Sequence, residues 1–406
     1  MRRAANNLTD AYAPRKRSEI VGFPLAPPMP DSAPHGVEDI DYDGWQGLNT
    51  QVNVSSLVGP NWTAFSSLLT QMAVNSLPSG EGNITPNGTY PAVAGSFTGG
   101  VLLFDGRVFI TPSGSTTARI YDPSTDTLIT PSGTYTGSSG FLGSVLMFDG
   151  RVFCPPENAT TARIYSPATN VLTIPSGTYA GSGAFLGGVL LPDGRVFCVP
   201  GNSTTARIYN PVTDTLTTPS GTYPGSSAFF GGVLLPDGRV FCVPFNSTTA
   251  RIYDPVTDTL TIPSGTYPGL LGFTGGVLLP DGRVFCVPSS SATARIYNPV
   301  TNTLTTPSGA YPGVFLSLFS GALLADGRVF CVPGTSTTAR IYDPVTDTLT
   351  TPSGTYPGGG AFLSGVLLRD SRMFCIPAGS ATARIAGTAG KPLSPNRVLS
   401  PYFNKV

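Results

Sequence analysis

The sequence predicts an all-β fold, a seven-bladed β-propeller of four-stranded blades, and three observations carry that expectation. First, an Asp-Gly-Arg signature starts at Asp105, Asp149, Asp193, Asp237, Asp281 and Asp326 and returns as Asp-Ser-Arg at Asp370, spaced 44, 44, 44, 44, 45 and 44 residues apart. A period in the forties with turn residues at fixed offsets marks a repeat architecture with one blade per unit. Second, each unit holds four short strand-like runs separated by turn residues. Third, the two ends of the array complement each other.

The fourth repeat shows the pattern. Phe230 to Leu235 is a short apolar run, Pro236-Asp237-Gly238 is a turn, and Arg239 to Val243 is a second run. Proline pre-sets the first turn angle and glycine accepts positive φ, so the two runs are paired strands. After Asn246-Ser247-Thr248, the residues Thr249 to Tyr253 alternate as a third strand. The polar turn Asp254 to Asp258 leads to a fourth, Thr259 to Ile262, which stops at Pro263-Ser264-Gly265. The strands run from first, at the axis, to fourth, at the rim.

The last repeat loses its pattern after Ile385, so its fourth strand is missing. Upstream of the first repeat, Asn83-Ile84-Thr85 aligns with Thr259-Leu260-Thr261, and Pro86 to Pro91 matches the segment that follows them. The expectation is that this N-terminal strand completes the seventh blade and closes the ring, leaving short protected edges. The domain plan is therefore an arm and linker over 1–81 with a possible helix at 61–75, the propeller over 82–386, and a tail over 387–406.

Six cysteines, Cys154, Cys198, Cys242, Cys286, Cys331 and Cys375, hold one place in successive repeats, with Ile110 in the first. Neighbouring blades pack about 10 Å apart, beyond the ~7 Å Cα limit for a disulfide. They are expected as a ring of small buried thiols, which suits a reducing compartment.

Composition narrows the partners. Net charge is zero and 11% of residues are charged, so nothing forms the basic stripe that nucleic acid requires. The start lacks the apolar core of a secretory signal and no apolar run reaches the ~20 residues of a membrane span. Eight Asn-x-Ser/Thr sequons then read as polar turns.

The Leu-Pro-Asp-Gly-Arg turn, the Val and aromatic run after it, and the Ala-Arg-x-Tyr-Asp-Pro strand resemble kelch-type and galactose-oxidase-like propellers over about residues 82 to 386. The resemblance implies the fold, and such propellers host enzymes and binding modules alike. The chain departs from the kelch pattern where paired glycines give way to Val-Pro, as at Val199-Pro200.

Fourteen of the 20 arginines occupy two repeat positions. These are the turn arginines, such as Arg195 and Arg239, and the third-strand arginines Arg119, Arg163, Arg207, Arg251, Arg295, Arg340 and Arg384. A side chain repeated seven times is read as structural, paired with turn carboxylates such as Asp254 or Asp258 or with loop carbonyls. The turn aspartates Asp193, Asp237 and Asp281 belong to the same framework.

A catalytic site normally breaks repeat symmetry, and the sequence shows no such break. His35 is the only histidine, and of Glu19, Glu38, Glu81 and Glu157 only the last lies in a blade. A galactose-oxidase-like copper centre needs imidazole ligands the ring does not contain. No cofactor is expected. Asp39, Asp41 and Asp43 with Gly44 have the opening spacing of a calcium loop, but Thr50 holds the twelfth position and neither flank reads as helix, so a solvated turn is the preferred reading.

Variation between repeats falls on the loops joining second to third strands and on the connections between blades, which emerge on one face. Several variable residues are large and apolar: Phe245, Leu270, Leu271, Phe315, Leu316 and Leu318. Exposed apolar clusters mark contact sites, so this face is the candidate partner-binding surface. The opposite face, built from Asp-Gly-Arg and Asp-Pro-Val-Thr-Asp turns, is nearly uniform. The proline-rich arm cannot bury a core of its own.

The function expected from these features is that of a structural and interaction scaffold without enzymatic activity, a subunit of a larger assembly such as a virion or phage tail, in the virion or cytoplasm. Its partners are then other protein subunits, in a homo- or hetero-oligomer. An intracellular kelch-like adaptor and a carbohydrate- or receptor-binding propeller are the alternatives, followed by a glycan-acting hydrolase. Neither nucleic acid nor membrane is an expected partner.

Overall fold

The computed structural model describes residues 83–387, Ala92 excepted. The possible helix over 61–75, the arm, the tail beyond 387 and the Asp39, Asp41, Asp43 motif lie outside the described residues.

Seven antiparallel sheets appear in chain order, six of four strands and one of three. Blade 4 is representative, with strands Phe229–Leu234, Val240–Pro244, Arg251–Asp254 and Thr259–Thr261. Its first three strands are largely buried and its fourth alternates exposed and half-buried, so each blade grades from core to rim. The register pairs Phe241 with Ile252 and Tyr253 with Leu260.

Blades adhere through a repeated aromatic pair. A second-strand phenylalanine stacks on the third-strand tyrosine of the next blade, as Phe197 on Tyr253 and Phe241 on Tyr297, with centroids 5.0 and 5.1 Å apart. Offset stacking adds about 0.5–1.5 kcal/mol beyond the area buried. The six cysteines lie fully buried beside these pairs and are free. Burial pushes the Cys198 and Cys242 thiols up to about 12, so they remain protonated and inert.

A polar staple reinforces each stack. Asp258 accepts from Tyr253 Oη at 2.8 Å within its blade, and from Ser220 N and Oγ of the previous blade at 3.0 and 2.7 Å. Its φ of +52° lies in the left-handed region, where Asp and Asn are the favoured non-glycine residues. The equivalents Asp126, Asn170, Asp214, Asn302 and Asp347 obey the same rule.

The ring closes as the ends of the array imply, with a shift of one residue. Ile84 N donates to Ile385 O at 2.9 Å and Ile385 N to Ile84 O at 2.8 Å. In blade 4 the residue opposite Ile252, the counterpart of Ile385, is Thr261. Ile84 therefore stands in the place of Thr261 and Asn83 in that of Leu260, one residue later than the sequence alignment placed them. The glycines agree: a Cβ on Gly354 would meet Asn83 Cβ at 2.8 Å, as one on Gly265 would meet Leu304 Cβ at 2.6 Å.

Closure is unequal on the two sides of blade 7. Toward blade 1, Phe374 stacks on Tyr121 at 4.7 Å, and Asn87 N and Nδ2 donate to the Asp126 carboxylate. Toward blade 6, the third strand of blade 7 carries Ala386 where other blades carry tyrosine, so Phe330 has no ring to stack on. Asn83 Nδ2 donating to Thr355 O at 3.3 Å is a lesser link across the same boundary.

Candidate functional site: the loop face and the channel mouth

The two sets of repeated arginines have different partners, a turn carboxylate for one set and a loop carbonyl with a threonine hydroxyl for the other. Turn arginines pair within their own turn: Arg195, Arg239 and Arg283 lie 2.7 Å from Asp193, Asp237 and Asp281. Third-strand arginines find no carboxylate. Arg251 Nη1 donates to Thr249 Oγ1 at 2.7 Å and to Ala250 O at 3.0 Å, and Arg119, Arg163, Arg207, Arg295, Arg340 and Arg384 repeat the arrangement. Asp254 instead accepts from Val256 N and Thr257 N, which fixes its own turn. These groups stabilise the loops locally.

On the loop face the six apolar candidates separate. Leu270 and Phe315 are 85% and 59% exposed, beside exposed Val314. Leu271 and Leu316 are half-buried. Phe245 is buried at the channel mouth. Leu318 does not belong to the surface: it fills the place of Phe229 at the start of a first strand, fully buried between blades, because the single inserted residue falls upstream of it.

Backbone geometry singles out the same loops. Leu270, Leu271 and Leu316 have φ of +47°, +63° and +52°. Other blade connections place serine or glycine there, as Ser226-Ser227 and Gly359-Gly360. A bulky side chain in this region carries about 1–2 kcal/mol of strain. Leu270, Leu271, Val314, Phe315 and Leu316 all lie on the two connections that flank blade 5.

At the axis a collar of large side chains packs together: Leu142, Leu186, Phe230, Phe245 and Phe319, with Leu271, Leu316 and Leu363 against them. Phe230 of blade 4 meets Phe319 of blade 6 edge-on at 5.3 Å, passing over blade 5, where Thr274 stands and donates to Leu318 O at 3.3 Å. Thr98 of blade 1 donates likewise to Phe141 O at 3.0 Å. Below the collar the first strands nearly touch, since a Cβ on Gly99 would lie 2.6 Å from Gly143 Cα. Glycine and aliphatic residues line the axis, and buried Ser144, Ser320 and Ser364 join them with unpaired hydroxyls.

Glu157 breaks the repeat symmetry expected of the blades. It occupies the second-to-third loop of blade 2 at the position held by Gly201 in blade 3 and Phe245 in blade 4. One backbone bond fixes all three: Glu157 N to Gly140 O, Gly201 N to Ala184 O and Phe245 N to Ala228 O, each 2.8 Å. Its side chain makes no hydrogen bond or ion pair among the described residues, and burial alone pushes its pKa up to about 7. The described aspartates lie in turns on the opposite face, which makes Glu157 the one described carboxylate on the loop face. No group of three or more His, Cys, Asp or Glu side chains able to hold a metal occurs among the described residues.

No family model and no curated protein matches the chain. Solved structures do. A streptogramin B lyase superposes with a TM-score of 0.64 at 9% identity, over 75% of this chain and 97% of that one. A catalytically inactive variant of virginiamycin B lyase from Staphylococcus aureus, with quinupristin, gives 0.64 at 8% identity, over 75% and 99%. The extracellular domain of a putative one-component system from B. thetaiotaomicron gives 0.56 at 12%, over 77% of this chain and 40% of that one.

At these identities the likeness establishes the fold, a seven-bladed propeller, and does not extend to kelch membership, a virion or a phage tail. It also corrects the expectation that the chain is not an enzyme: rings of this architecture carry lyase activity. Among the described residues no helix is long and apolar enough to cross a membrane. The chain is a β-propeller scaffold.

Proposed function

We propose that this propeller is a recognition subunit that docks a protein partner, as part of a larger assembly, through the loop face around blade 5. One observation carries the reading: exposed Leu270, Val314 and Phe315 sit on adjacent blade connections, continuous through half-buried Leu271 and Leu316 with the collar. Large apolar side chains at strained, exposed positions raise the free energy of the isolated chain, and burial against a partner recovers it. The polar connections elsewhere on this face, Ser138-Ser139 and Ser226-Ser227, carry no such groups.

The test is mass determination of the native assembly, followed by reconstitution with L270S/F315S. The reading requires a fixed stoichiometry with other chains, and at least ten-fold weaker association for the variant, whose unfolding midpoint is unchanged. A free monomer in native extracts, or full association by the variant, defeats it.

A further inference from the structure

The backbone that aims Phe245 at the collar also aims Glu157 there. Phe245 lies against Phe230 with centroids 5.4 Å apart, and a Cβ on Gly201 would fall 2.5 Å from Leu186 Cγ. Side chains at this loop position therefore point at the collar residue of their own blade, which for Glu157 is Leu142. Blade 3 between them raises no side chain at Gly201, and Leu186 fills the space above its backbone. The result is a low saddle over Leu186, with a carboxylate on one flank and a phenyl ring on the other.

The carboxylate is otherwise uncommitted. Of the two charged residues nearest to it in sequence, Arg151 pairs with Asp149, and Arg163 donates to Thr161 Oγ1 and Ala162 O and lies over the Phe141 ring at 5.8 Å. The segments packed on the loop, Ser138 to Leu142 and Gly181 to Leu186, bear no titratable side chain. Asn158, next in sequence, is spent on Gly183 N. A partly desolvated carboxylate attracts a cation far more strongly than one in water, and aromatic rings add cation–π attraction of about 0.5–2 kcal/mol.

We propose that Glu157, with Leu142, Leu186, Phe230 and Phe245, forms a binding site for organic ammonium groups, a cationic nitrogen carried on an aromatic or aliphatic body. The nitrogen pairs with Glu157 and the body lies across the saddle. A free amine and a lysine side chain of a docked chain share this chemistry. The proposal rests on the loop face being the recognition surface, but not on the exposed residues around blade 5.

Calorimetric titration of the full chain with 2-phenylethylammonium, against its neutral analogue 3-phenylpropan-1-ol, tests the site. At pH 8 the amine binds at least ten-fold more tightly than the alcohol. E157Q, nearly isosteric, erases that difference, whereas L270S/F315S retains it. Between pH 8 and pH 6 the wild-type affinity for the amine falls about ten-fold as the carboxyl takes up its proton, and E157Q shows no such fall. The carboxyl carbon resonance of Glu157, followed by NMR, titrates at least one pH unit lower when the amine saturates.

N-acetyl-phenylalanyl-lysine amide separates the sources. Tighter binding than the free amine assigns the site to a lysine of a partner, and weaker binding assigns it to a small molecule. The proposal is overturned if E157Q binds the amine as wild type does, if the alcohol binds equally well, or if the amine does not saturate. Amine binding in a chain that forms no assembly sinks the docking reading alone.

Discussion

The turn face and the loop face are built from the same blades, yet they spend their polar groups in opposite ways. On the turn face every described aspartate is engaged, in an ion pair such as Asp237 with Arg239, in a staple such as Asp258 with Ser220 and Tyr253, or in its own turn as Asp254 with Val256 N and Thr257 N. On the loop face Glu157 has no partner, and three leucines sit in backbone conformations that suit glycine. The first face is optimised for holding blades together. The second carries an unpaired carboxylate and backbone strain, the two features on which the proposed docking rests.

The largest test of that contrast lies between the faces, in the stacks that serve both. Phe241→Ala removes the ring that packs on Tyr297 and is expected to destabilise the fold by about 3–5 kcal/mol, read by denaturant unfolding. An effect under about 1 kcal/mol would mean the blades do not rely on these pairs.

On the turn face, Asp258→Ala leaves Ser220 N and Tyr253 Oη without their acceptor. A loss of about 1–2 kcal/mol is expected, whereas Asp258→Asn is nearly neutral, since blades 2 and 5 carry Asn170 and Asn302 there. The acid limb of the stability curve sharpens the point. Hydrogen bonds from Ser220, then Tyr253, hold the Asp258 carboxyl below its usual range, and those from Ser176 do the same for Asp214. A depressed carboxyl contributes stability above its unfolded pKa and loses it as pH falls through the folded value, so wild type but not D258N should lose this increment below about pH 4.

The loop face should respond with the opposite sign. Leu271→Gly relieves a left-handed leucine and is expected to gain about 1 kcal/mol in unfolding free energy while weakening partner association. A variant that is destabilised instead would show that Leu271 is held by packing.

The smallest effect is that of Glu157. Its folded pKa is raised above the unfolded value, so its contribution is complete below about pH 4.5 and is lost as pH rises through about 7. E157Q should therefore be more stable than wild type at pH 8 and no more stable at pH 4, a crossover visible in thermal melts; the full shift sets an upper bound of about 3 kcal/mol, which water reaching the part-exposed carboxyl reduces to roughly 1 kcal/mol.

Fold and site were unequally legible in the sequence. Blade number, strand order and the closing strand all followed from turn residues, because Asp-Gly-Arg and Pro-Ser-Gly fix chain reversals locally. The register of closure slipped by one because Asn83 and Ile84 are short of the alternation that pins a strand. Leu318 was misplaced for a related reason: an insertion shifts the pattern, and only packing shows which leucine takes the phenylalanine slot.

The collar leaves a trace in the sequence. Thr98, Leu142, Leu186, Phe230, Thr274, Phe319 and Leu363 occupy one repeat position that changes while its neighbours vary little, Phe before it except at Leu318 and Gly after it except at Ser320 and Ser364. Glu157 was visible as a residue, but its lack of a partner is a property of the surroundings and no sequence pattern encodes it.

The uneven closure of blade 7 has a temporal consequence. Ile84 leaves the ribosome roughly 300 residues before Ile385, the strand it must join, and contacts so distant in sequence form last. Six blades can stack on one another as they are synthesised, each bringing its own phenylalanine to the tyrosine of the next. Ile84 must wait unpaired throughout, and the boundary between blades 6 and 7, with Ala386 in place of a ring, is where the finished circle is expected to reopen first. Under force, heat or proteolysis the molecule should unwind from that joint, as a clasp opens before the bracelet breaks.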